Sequence, residues 1–206
     1  MAVAWSAVAE ASRLGKTGHI NEALRLLISL EPQCESDCDR AALSLAKSSC
    51  FAHLGQITEA FAYIETAKKF AATHRELMLQ IEMSEAAGRI LSKEYQTACA
   101  LYEHIAATYT DLLSEDPESA GEFNERYGYA LFHVERYGQA IDIFRSLIQS
   151  KRLEDEQRVR LYLGAALAGS RHPHEAQIEL ELAAKGPNSN LSKDALDRLI
   201  ALSRIQ

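Results

Sequence analysis

The sequence predicts an all-α chain of repeated helical hairpins, and three observations carry that prediction. Helix-breaking residues are scarce, with four prolines and ten glycines in 206 residues. A short polar turn ending in alanine recurs five times, as Gly18–Ala23, Gly55–Ala60, Lys93–Ala98, Glu135–Ala140 and Arg171–Ala176, the alanines falling at intervals of 37, 38, 42 and 36 residues. Apolar residues at helical spacing follow the alanines, which marks the second helix of each hairpin.

The units run over residues 3–35, 38–73, 75–114, 118–151 and 154–186, with a final helix over 190–205. Units one and two place glycine at the turn, at Gly18 and Gly55. In unit three Ala98, Leu101, Tyr102, Ile105, Tyr109 and Leu112 form one stripe. Before unit four lies an insertion, Thr108–Ser119, read as a solvated segment leading to a helix start. Its carboxylates Glu115, Asp116 and Glu118, with Glu122 beyond, surround Pro117 but lack a calcium-loop pattern. Unit four has Tyr127-Gly128 and Leu131 in its first helix, then Tyr137, Ala140, Ile141, Phe144, Leu147 and Ile148. Unit five repeats this with Leu163-Gly164, Leu167, Ala176, Leu180 and Ala183. A small residue twelve positions ahead of the alanine lets the two helices of a hairpin approach closely. Gly186-Pro187-Asn188 ends the last hairpin. Leu191, Ala195, Leu199 and Leu202 then give the final helix one apolar face, as the cap of a stack of hairpins requires.

Composition narrows the function. Hydrophobic residues make up 47% and charged residues 25%, so the chain can bury a core. The net charge of −7 and the absence of any long basic cluster argue against nucleic acid and anionic lipid as partners. No segment has the length and apolarity of a membrane span, and the first residues lack the basic start of a secretory signal, so a cytoplasmic location is expected. Cys34, Cys38, Cys50 and Cys99 read as reduced thiols. Cys34 and Cys38, in a C-x3-C, have no second ligand pair at zinc spacing. His172 and His174 flank Pro173 in what reads as a turn and helix start, so neither a metal nor a cofactor is expected. No phosphate loop, nucleophile elbow or dinucleotide fingerprint occurs, and no catalytic residue is assigned.

The motif Leu163, Gly164, Leu167, Ala176, Leu180, Ala183 resembles the tetratricopeptide repeat. So do Tyr127, Gly128, Leu131, Ala140 and Phe144, and Gly55, Ala60, Ile64 and Ala67. The likeness covers about residues 3 to 186. The 36–42-residue spacing is similar to the extended repeats of kinesin light chains and of bacterial peptide sensors. The resemblance implies a right-handed α-α superhelix of five hairpins and a cap, a protein or peptide partner, weak self-association and no enzymatic activity. The implied role is an adaptor, scaffold or assembly or secretion chaperone, with a peptide- or small-ligand-sensing domain as the alternative.

In that family the first helices line a concave groove. Counting back from the alanines puts Trp5, Val8, Ser12, Leu45, Ser49, Ala52, Gln80, Met83 and Ala87 there from the first three units. Units four and five supply Glu122, Glu125, Tyr129, Phe132, Arg158, Leu161 and Ala165, with His133 adjacent. Met83, Glu125, Tyr129, Phe132, His133 and Arg158 are the expected partner contacts. The opposing reading is that Tyr129 and Phe132 pack against the next helix. The carboxylate clamp of the cochaperone repeats is missing, since Val8 and Ser12 stand at its positions.

Overall fold

A computed structural model describes residues 8–11, 13–15, 17–150 and 155–204. The described residues are helical with no strand: α1 (helical at 8–11 and 13–15), α2 (Ile20–Leu30), α3 (Asp37–His53), α4 (Ile57–Ala71), α5 (Arg75–Leu91), α6 (Tyr95–Thr108), α7 (Thr110–Glu115), α8 (Pro117–His133), α9 (Tyr137–Ser150), α10 (Glu156–Gly169), α11 (Pro173–Ala184) and α12 (Ser189–Ser203). Two compact units divide the chain, residues 1–97 with 107–109, and residues 98–106 with 110–206. The insertion ahead of unit four contains the two-turn helix α7, where the sequence predicts only a solvated segment.

The turn that defines the repeat has one geometry throughout. Gly18, Gly55, Lys93, Glu135 and Arg171 stand five residues ahead of the five anchor alanines. All are left-handed, with φ of 85°, 73°, 61°, 62° and 65°. The next residue's N–H donates to a carbonyl five residues back at 2.8–2.9 Å, as in His19 to Leu14 and Gln56 to Phe51. Glu94 to Arg89, Arg136 to Leu131 and His172 to Leu167 repeat it. The left-handed residue's own N–H donates to the carbonyl three back, so each first helix ends in a Schellman cap. Glycine adopts this conformation freely, whereas a side chain there costs about 1–2 kcal/mol. Glu135→Gly is therefore expected to raise stability by about 0.5–1 kcal/mol and Gly55→Ala to lower it by about 1 kcal/mol. Urea unfolding of the two variants beside the parent measures both.

Beyond the turn, the anchors Ala23, Ala60, Ala98, Ala140 and Ala176 are all buried. In the first unit Ala11, Ala23, Leu27, Leu30, Leu43 and Cys50 form one core cluster across α1, α2 and α3. Ala41, Ile64, Ala67, Ala71 and Ile81 form another across α3, α4 and α5. Phe51 and Tyr63 stack at 5.2 Å, and the buried Lys47 amine reaches Glu31. Between α4 and α5, Lys68 pairs with the buried Glu85 at 2.8 Å, and Phe61 sits where a side chain at Gly88 would have to go.

In the second unit Tyr102, from the 98–106 segment of α6, packs edge-on against Phe123 at 5.4 Å and beside Tyr127 at 5.7 Å. Close approach within hairpins is visible at two glycines. A Cβ at Gly128 would lie 2.7 Å from the Phe144 ring, and one at Gly164 would lie 2.7 Å from Leu180 and 3.2 Å from the Ala176 carbonyl. The last helix, α12, closes the stack: Leu161, Leu180, Ala183 and Ala195 form a cluster joined by Leu191 and Leu199.

Candidate functional site

Three helices of the second unit, α8, α10 and α12, each begin at an acceptor side chain that fixes their start. Asp116 accepts from the N–H groups of Glu118 and Ser119, with Pro117 at the first helical position. Asp155 accepts from Arg158 N–H at 3.0 Å, and Asn188 accepts from Asn190 and Leu191. Such caps satisfy donors that a helix start otherwise leaves unpaired. With their starts set, the three helices place their partly exposed side chains by register.

Glu125 of α8 meets Arg158 of α10, with the guanidinium Nε 2.6 Å and Nη2 2.5 Å from one carboxylate oxygen. Asp155 stands 3.9 Å from the same guanidinium. One turn further along α8, the half-buried Tyr129 ring meets Tyr162 of α10 edge to face at 4.8 Å and 84°. Tyr129 also contacts His133 at 4.4 Å, and Phe132 lies 5.1 Å from His133 and 5.9 Å from Tyr162. Phe144 of α9 stacks behind Tyr162 at 6.4 Å and supports it from the core. Burial raises the Tyr162 pKa, against the opposing influence of the neighbouring Tyr129. Burial, followed by the positive charge of Arg198 on α12, holds the His133 imidazole below its ordinary pKa. Arg198 is itself paired with Asp194 at 3.2 Å. The face is an aromatic ledge bordered by two internal ion pairs.

The structure thus brings Glu125, Tyr129, Phe132, His133 and Arg158 together. Tyr129 and Phe132 do pack against the next first helix, through Tyr162, yet both remain partly exposed. The assignment of Met83 to the partner surface is corrected: its side chain is 2% exposed and belongs to the core of the first unit. Leu161 and Ala165 are also buried, Leu161 within the cluster that α12 completes. Trp5 and Ser12 lie outside the described residues. Val8 and Leu45 pack against core clusters. Sequence reasoning missed Tyr162, Asp194 and Arg198. Their signal was the spacing of four residues from Arg158 to Tyr162 and from Asp194 to Arg198, one helical face in each case.

Among the described residues no group of three or more His, Cys, Asp or Glu side chains could hold a metal ion, and no helix is long and apolar enough to cross a membrane. The four cysteines are free thiols.

Compared with solved structures, the chain is similar to a putative kinesin light chain from Podospora anserina with nearly identical TPR-like repeats. The likeness covers 86% of this chain and 92% of that one, at a TM-score of 0.65 and 22% identity. A crystal structure of a single-residue variant of that protein matches with a TM-score of 0.66, covering 86% and 91% at 22% identity. The fold is a tetratricopeptide-like helical repeat. The TPR-like assignment rests on this structural likeness and the repeated turn, since no family model and no curated protein matches the sequence. In TPR-like terms, α8 and α10 are first helices of successive hairpins and α12 continues their series.

Proposed function

We propose that the second unit is a peptide-binding interaction module, serving as an adaptor that holds a partner protein by an extended segment. The observation that carries this reading is the Tyr129–Tyr162 pair: two large rings on successive first helices, half exposed side by side and backed by Phe144. Tyrosine is among the side chains that most often dominate binding energy, because it buries a large area at low entropic cost. The TPR-like fold supports the reading, as stacked hairpins offer a continuous surface of first helices. The net charge of −7 suits a protein partner better than a polyanion, and four free thiols suit a reducing cytoplasm.

A random peptide display library tests the proposal. The full chain is expected to enrich peptides whose binding weakens by about 10- to 100-fold in the Tyr129→Ala/Tyr162→Ala variant, while Asp142→Ala on the exposed side of α9 binds as the parent does. Helix content and melting are recorded for each variant. A folded double variant that retains full affinity would reject the site, and a library with no binders would reject the function.

A further inference from the structure

We propose that this face takes an extended, uncharged, proline-bearing segment in the polyproline II conformation, an inference that rests on the peptide-binding reading and names its ligand class. Three features of the ledge point the same way. First, its cations are neutralised within the protein: Arg158 by Glu125 and Asp155, Arg198 by Asp194, and Arg126 by Glu122 at 2.6 Å. A charged ligand could pair with the ledge only by exchanging one of these partly exposed pairs for another, and such an exchange returns little.

Second, the apolar part of the face is a narrow strip of ring edges and faces, from Tyr129, Tyr162, Phe132 and His133, between the two ion pairs. An amphipathic helix presents a wide apolar stripe and needs a broad groove, whereas prolyl rings fit between aromatic side chains. Third, the hydrogen-bond chemistry matches. The partly exposed Tyr162 carries a hydroxyl beside the Tyr129 ring, and a phenol can donate one proton as well as accept. A polyproline II segment has no internal hydrogen bonds, and its prolines present carbonyl acceptors without N–H donors. A tyrosine donor beside stacked rings meets both properties.

The test titrates the full chain with dye-labelled decaproline and with a glutamate-rich, a lysine-rich and an amphipathic helical peptide of similar length, read by fluorescence anisotropy. Saturable binding of decaproline alone is expected. Tyr162→Phe, which keeps the ring and removes the donor, should weaken it about fivefold. Tyr129→Ala/Tyr162→Ala should weaken it about tenfold or more. Tighter binding of either charged peptide or of the helix, or unchanged decaproline affinity in Tyr162→Phe, overturns the proposal. If the display library yields binders without proline, the ligand class fails while the peptide-binding reading stands; a library that yields none removes both.

Discussion

Phe144→Ala is expected to destabilise the protein by about 3–5 kcal/mol, measured by chemical denaturation. Phe144 is fully buried, and its ring fills the space left by the absent side chain of Gly128. Truncation removes the transfer free energy of a large aromatic group and opens a cavity that the α8–α9 hairpin cannot close without moving a backbone. The same ring backs Tyr162, so peptide affinity should fall along with stability. Gly128→Ala approaches the contact from the other side, by overpacking, with an expected loss of about 1–3 kcal/mol. Loss of less than about 1 kcal/mol in Phe144→Ala would mean that this hairpin is packed differently.

Gln157→Leu is expected to cost about 2–4 kcal/mol, from buried polar groups left without partners. The Gln157 amide nitrogen lies 2.9 Å from the Ala183 carbonyl, 3.0 Å from that of Asn188 and 3.1 Å from the Ser192 hydroxyl. Its carbonyl oxygen accepts the Asn188 N–H at 2.9 Å. One side chain at the start of α10 thereby ties down the link from α11 to α12, with Gly186 leaving room for it. Leucine matches the volume and removes every one of these bonds. Hydrogen exchange should accelerate selectively over Ser189–Ser203, the helix that carries Asp194 and Arg198. Uniform acceleration across α8 to α11, or none, would show that Gln157 does not hold the cap.

The repeat was legible because its constraints are local. A buried alanine at each helix crossing, a turn five residues ahead of it and a small residue in the first helix recur at fixed offsets, so the pattern survives divergence elsewhere. The shared left-handed turn was legible at Gly18 and Gly55 but hidden at Lys93, Glu135 and Arg171, where an ordinary side chain accepts the strain. The face of each first helix was harder to read. These helices are covered on more than one side, and α10 is apolar almost all round from Leu161 to Leu167, so periodicity does not distinguish Leu161 from Tyr162. The same ambiguity put Met83 on the wrong face of α5. The α7 helix escaped notice because six residues carry too little period to declare a helix.

The central claim is that the Tyr129–Tyr162 ledge is where a partner peptide sits. The most direct measurement places a photo-crosslinking benzophenone side chain at position 162 in one variant and at the exposed position 142 in another, each in the full chain, and irradiates both in cells that make the protein. The account predicts a discrete crosslinked adduct from position 162, with a peptide segment of the partner mapped to that site, and none from position 142. An adduct from position 142 with nothing at 162 would contradict it.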